Sequence, residues 1–228
     1  MILKNDKFVK SLLGINSFIV VINSKFNKLS DLQNISTPSF YTLKSKFLIP
    51  KSIIKKINAK FICKHYTFIK RYKKSKQKSE NCRLVKKTDF KTLKKISLEQ
   101  TSNSHFVQDK NLPLIFRKNF RFNWLNNYFQ KKRGDYLIVH HDKSVNGFLL
   151  LMKKKQLFII DLIVTSKKKR KLGVGKALIN YVNNFYLKKK SSYIKAGTQS
   201  NNFSAIKFYK KLKFKKILTE YIYHIYKN

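Results

Sequence analysis

Two of the chain's six glycines stand one residue apart, in the run Arg170-Lys171-Leu172-Gly173-Val174-Gly175-Lys176. The run follows an apolar strand-like stretch at 156–165 and leads into a helical pattern at 174–187. Glycines in such a place let the backbone turn sharply and approach a ligand closely. The free N–H groups of the helix start, reinforced by its dipole, can then hold a pyrophosphate. The pattern R-x-x-G-x-G is neither of the two commoner phosphate loops, because it has no third glycine and no Lys-Ser/Thr pair closes it. Alone it is also compatible with a purely structural turn.

A second block lies downstream, Asn202-Phe203-Ser204-Ala205-Ile206-Lys207-Phe208-Tyr209, followed by Phe214. Strand, R-x-x-G-x-G, helix, strand, then N-x-x-A-x-x-F-Y resembles the GNAT acetyltransferases over residues 157–214. That resemblance implies acetyl-CoA as co-substrate and no metal. It implies that Arg170, Lys171, Leu172, Gly173, Val174, Gly175 and Lys176 cradle the pyrophosphate. Backbone groups of Ile163, Val164 and Thr165 would meet the pantetheine and the acetyl carbonyl, and Asn202 would touch the cofactor arm. Tyr209 would protonate the departing thiolate. The chain departs from the family at three points: Lys171 stands where many members have Gly, Leu172 where a basic residue is common, and Lys213 where a Gly precedes the final Phe.

The resemblance reaches further. Leu13-Gly14-Ile15-Asn16-Ser17-Phe18-Ile19-Val20, Ser104-His105-Phe106 and Gly197-Thr198-Gln199 are similar to segments of the bacterial TDP-fucosamine (TDP-4-amino-4,6-dideoxygalactose) N-acetyltransferases. These carry a smaller N-terminal domain before the GNAT core. The expected fold is therefore mixed α/β, a GNAT acetyltransferase fold with a smaller N-terminal α/β domain. Residues 1–78 would be the accessory domain and 79–228 the acetyltransferase domain, with the Lys/Ser/Gln/Glu stretch at 73–80 as linker. The implied acceptor is the amine of a nucleotide-linked amino sugar, and His105 is the residue expected to contact sugar or phosphate.

The bottom-up layout agrees with this order of elements. Strand-like runs at 18–22, 39–43 and 61–69 precede the linker, and the apolar segment 8–23 reads as a turn entering a buried strand at 17–22. After it come a strand at 82–85, a helix at 90–98, an irregular stretch at 101–113 and a helix at 114–130. That second helix carries Phe120, Trp124 and Tyr128 at helical spacing, an apolar stripe that suits a core. Strands at 136–140, 144–152 and 156–165 form a meander, and helix, strand, helix and strand complete the chain without a repeat visible in sequence. Asp161 alternates with Ile160 and Leu162, so strand geometry turns it away from both, either toward a cleft where it could accept the amine proton or into a structural hydrogen bond to the neighbouring helix. His105, His140, His141 and His224 are the other proton acceptors on offer.

Charge admits a competing class. The chain has 52 Lys+Arg against 10 Asp+Glu, a formal net charge of +42, which attracts polyanions. The basic residues are nearly all lysine and are spread along the chain rather than gathered in a tail, so they read first as surface filler from a biased composition. A basic nucleic-acid-binding protein would interleave arginine with aromatics on one surface. Arginine is rare here, so no specific nucleic acid is expected. A protein N-terminus, a lysine or a polyamine remains the alternative acceptor, though the field repels cations. Cys63 and Cys82 lack metal-ligand spacing and suit reduced thiols in a cytoplasmic protein. The apolar part of 8–23 is far below the about 20 residues of a membrane span, and a homodimer is left open.

Overall fold

In the computed structural model, the described residues are 1–22, 38–71, 81–99, 103–132, 135–186 and 193–227. The expected linker at 73–80, and with it the expected domain boundary, lies outside them. The strands are β1 (Ile2–Asn5), β2 (Asn16–Ile22), β3 (Ser39–Ser45), β4 (Ala59–Arg71), β5 (Cys82–Leu84), β6 (Tyr136–Asp142), β7 (Ser144–Lys154), β8 (Leu157–Thr165), β9 (Tyr193–Gln199) and β10 (Lys215–Lys227). The helices are α1 (Lys7–Leu13), α2 (Lys51–Lys56), α3 (Phe90–Leu98), α4 (His105–Gln108), α5 (Leu114–Phe129), α6 (Val174–Tyr186) and α7 (Phe203–Lys211). This is a mixed α/β fold built on one sheet, in the order β1-β2-β3-β10-β4-β9-β8-β7-β6-β5.

Helices cover both faces. On one face α3 and α5 pack Leu93, Ile96 and Leu125 against Val139, Phe148 and Val164, while α1, α4 and α5 bury Val9, Phe106 and Phe120 beside Phe40. On the other, α6 and α7 bury Leu178, Val182 and Tyr209 against Phe158, Ile160 and Ala196, and α2 lies over Tyr41, Leu43 and Tyr223. The aromatic stripe of α5 is core as expected: Phe120 and Tyr128 are buried.

Two local readings need correction. Residues 7–13 are a helix, not a turn: Asp6 accepts the Val9 N–H at 3.1 Å and Gly14 closes the last turn at a φ of 74°. The stretch at 101–113 is also less irregular than it reads, because residues 105–108 form α4.

The strand order contains a repeat of topology that leaves no mark in the sequence. β1 and β2 are antiparallel, β2 and β3 parallel, and α2 then leads to β4. β7 and β8 are antiparallel, β8 and β9 parallel, and α7 then leads to β10. Each half gives its last strand to the other: β10 lies between β3 and β4, and β4 between β10 and β9, all antiparallel. A pseudo-twofold axis therefore runs through the β4–β10 pair, and the N-terminal part is woven into the sheet.

The halves differ where it matters for a ligand. β2 and β3 stay paired along Asn16–Ile22. β8 and β9 pair only from Leu157↔Tyr193 to Ile160↔Ala196 and then part.

Candidate active site

Beyond Ile160 the β9-facing edge of β8 has no strand partner among the described residues, while its other edge continues on β7 as far as Gly147↔Thr165. Ile163, Val164 and Thr165 thus lie along the gap, past the last β8–β9 pair, where a chain-like ligand would run. A bulge sits at the parting point, since Leu150 faces Leu162 while Leu151 faces Ile160, which makes Asp161 the extra residue of β8. The alternation expected for Asp161 accordingly holds against Ile160 and fails against Leu162. Ile160 packs toward α6 and α7, whereas Asp161 and Leu162 both face α5. The Asp161 carboxylate accepts from Trp124 Nε1 at 3.0 Å and Tyr128 Oη at 2.9 Å, which ties the bulge to that helix.

The glycine loop closes one side of the gap. Lys171 and Gly173 have left-handed backbone, with φ of 63° and 82°, so the chain winds back on itself before α6 begins at Val174. The Lys-for-Gly departure at 171 thus falls where glycine costs least. A Cβ on Gly175 would lie 3.1 Å from the Phe208 ring, so this glycine also lets α6 close on α7. Gly147, which sequence reading passed over, is tighter still: a Cβ there would lie 2.6 Å from the Val164 carbonyl oxygen and 2.8 Å from Val174 Cγ1. Arg170, Lys171, Leu172 and Lys176 are exposed around the loop. Arg121 on α5 adds a nearby charge: burial, and after it repulsion from Arg170, lower its pKa to about 10.

Asn202 caps α7 through its Oδ1, which accepts the Ala205 N–H at 3.3 Å, and its amide donates to Thr198 Oγ1 at 3.0 Å. It thereby fixes the end of β9 beside the gap. Tyr209 is 3 % exposed, its ring stacked on Phe68 and beside Phe214. Burial pushes its phenol well above the ordinary value, so it stays protonated through the neutral range. At the end of α7 the Lys213 N–H bonds Lys210 O and the Phe214 N–H bonds Tyr209 O, a Schellman turn with Lys213 at a φ of 63°.

On the opposite face, between the two apolar clusters, lies a polar patch. His65 Nδ1 is 3.5 Å from Glu220 Oε2, and the His65 ring covers Gly197, just past the last β8–β9 pair. His105 opens α4, and its Nδ1 lies 2.9 Å from His224 Nε2. Burial first, then the charges of His224, Lys44 and His65, push the His105 pKa well below its ordinary value. The residues that sequence reading missed here, His65, Asp109 and Glu220, come from separate strands and turns with no motif between them. His140 and His141 lie on β6, two strands away from β8 on the side remote from β9. Among the described residues, no group of His, Cys, Asp and Glu could hold a metal ion, and no helix is long and apolar enough to cross a membrane.

Comparison with known proteins matches part of this arrangement to a known domain. The model of the acetyltransferase (GNAT) domain matches residues 132–216, from before β6 to the start of β10. No curated protein sequence matches the chain. Among solved structures, a conserved protein of unknown function from Staphylococcus epidermidis shares the fold at a TM-score of 0.70 and 11% identity, over 97% of this chain and 89% of that one. A putative GNAT-family acetyltransferase from Novosphingobium aromaticivorans gives 0.57 and 12%, over 88% and 79% of the respective chains. A GCN5-related N-acetyltransferase from Sphaerobacter thermophilus gives 0.57 and 10%, over 98% and 75%. The parted strands β8 and β9 and the glycine loop beside them thus lie in the part of the chain that matches the acetyltransferase (GNAT) domain, the domain of acetyl-CoA-dependent N-acetyltransferases.

Proposed function

We propose that the chain transfers acetyl from acetyl-CoA to the amine of a nucleotide-linked amino sugar, of the TDP-4-amino-4,6-dideoxyhexose type, by direct attack. The observation that carries the transfer is the parting of β8 and β9 after Ile160↔Ala196, with the glycine loop on one side and the His65–Glu220–His105 patch on the other. The 170–176 loop would hold the pyrophosphate and backbone of Ile163–Thr165 the pantetheine. Those backbone groups would also stabilise the oxyanion of the tetrahedral adduct. Tyr209, kept protonated by burial, would give its proton to the leaving thiolate, whose thiol titrates near ~8.5.

Support for the acceptor is electrostatic. A net charge of +42, with Lys44 and Lys195 beside Glu220 in the patch, favours a substrate carrying a nucleoside diphosphate over a free cationic amine. In this reading residues 1–78 are an accessory part whose strand β4 supplies His65 to the acceptor side. The test is acetyl-CoA turnover over a panel of nucleotide-linked amino sugars, free amino sugars, peptides and polyamines. Turnover confined to the nucleotide-linked sugars is expected. Preference for peptides or polyamines would overturn the acceptor.

A further inference from the structure

Three of the chain's five histidines, His65, His105 and His224, share one face of the sheet. Two of them are joined to a buried acid. His224 is 0 % exposed on β10, with its Nδ1 2.6 Å from Asp109 Oδ2 and its Nε2 2.9 Å from His105 Nδ1. Asp109 also receives the Tyr226 hydroxyl, the Asn111 N–H at 3.1 Å and the Lys60 ammonium at 3.1 Å. With donors on both oxygens and a cation beside it, this carboxyl is a carboxylate, which accepts hydrogen bonds and donates none.

That fixes every proton along the chain. His224 must carry its hydrogen on Nδ1 to donate to Asp109, so in the neutral ring its Nε2 is an acceptor. The hydrogen between the two rings then belongs to His105 Nδ1. A neutral His105 is left with a bare lone pair on Nε2, which no described residue engages, on a residue that is half-buried. Both rings are held neutral. Burial lowers the His224 pKa against the pull of Asp109, and burial with the neighbouring charges lowers that of His105.

The placement suits an acceptor site. α4 is anchored to the end of β9, where Asn201 Nδ2 donates to Gln108 Oε1 at 3.1 Å. The titratable groups around His105 are Lys44 from β3, His65 and Lys60 from β4, Glu220 and His224 from β10, and Asp109 after α4.

We propose that His105 is the base that takes a proton from the incoming amine, with Asp109 and His224 as positioning residues that keep its Nε2 bare. This rests on the acetyl-transfer reading and concerns the same site. The substrate ammonium gives one proton to His105 Nε2, which later passes it to solvent. The freed nitrogen lone pair forms the C–N bond as the carbonyl π pair moves to oxygen. Collapse breaks the C–S bond; Tyr209 protonates the thiolate and regains its proton as the adduct nitrogen loses its second one. The sum is amide, free thiol and one released proton.

Two measurements test this. Imidazole nitrogen NMR of the resting, isotope-labelled protein should show both His105 and His224 neutral, hydrogen on Nδ1 and Nε2 bare. A hydrogen on His105 Nε2 would overturn the proposal. The pH profile of kcat, on whichever amine is turned over, should show an acid limb below the ordinary imidazole value of 6.5 in the wild type. His105→Gln should lower kcat by about 10²–10⁴-fold and abolish that limb. Asp109→Asn should shift the limb, with acetyl-CoA affinity unchanged in both variants. A His105→Gln enzyme with near-full kcat and the same limb, or a limb lost in His65→Gln instead, would overturn it. Turnover of a peptide amine rather than an amino sugar would refute only the acceptor class, and the base would then be judged on that amine.

Discussion

Lys213 occupies the left-handed position of the Schellman turn that closes α7, at a φ of 63°, with Tyr209 and Phe214 in contact across it. A side chain in that conformation costs about 1–2 kcal/mol through its Cβ, and glycine is free of that strain. Glycine in turn costs about 0.4–1 kcal/mol in unfolded-chain entropy. Lys213→Gly should therefore stabilise the protein by roughly 0.5–1 kcal/mol, or about 1–4 °C in Tm for a chain of this size. Removing one lysine from a chain of net charge +42 could raise Tm by itself, so Lys213→Ala is the control. It loses the charge and keeps the Cβ. Thermal melts of the three proteins at low and high salt should rank glycine above both lysine and alanine, with turnover unchanged. Alanine matching glycine would refute the backbone argument and assign the gain to charge.

Tyr209→Phe keeps the ring against Phe68 and Phe214 and removes only the proton donor, so kcat should fall by about 10²–10⁴-fold with a native melt and unchanged KM for acetyl-CoA. Gly147→Ala would drive a methyl group into the Val164 carbonyl and Val174, costing about 1–3 kcal/mol in a melt and weakening acetyl-CoA binding. Stability should fall as pH drops from 7.5 to 5.5. The lowered pKa values of His105 and His224 mean that the unfolded chain takes up their protons near 6.5 while the folded chain does not. The depressed Asp109 carboxyl acts in the same direction only below about 4. A Tm that rises on acidification, or an unchanged slope in His105→Gln, would contradict this.

The meander β6–β8 was legible because each strand is long, apolar and bounded by polar turns, and the glycine loop because its turn must precede a helix. Asp161 was misread in part, since a one-residue bulge reverses alternation without any signal in the residue types. The helix at 7–13 hid inside an apolar run, although Asp6 and Gly14 are its cap residues. The exchange of β4 and β10 was invisible. Pairing between strands about 150 residues apart depends on which edge is left open, not on local pattern. The Asp109–His224–His105 chain shares that cause, because its members meet only once β10 has crossed into the N-terminal half.

The central claim is that acetyl-CoA binds where β8 and β9 part. Backbone amide shifts of the isotope-labelled protein, followed as acetyl-CoA is titrated in without an acceptor, test it most directly. Changes should concentrate at residues 162–165, 171–176 and 197–202 and saturate together, while β2 and β3, the fully paired counterparts in the other half, stay unmoved. Saturating shifts centred on β2 and β3, or a glycine loop that does not respond, would contradict it.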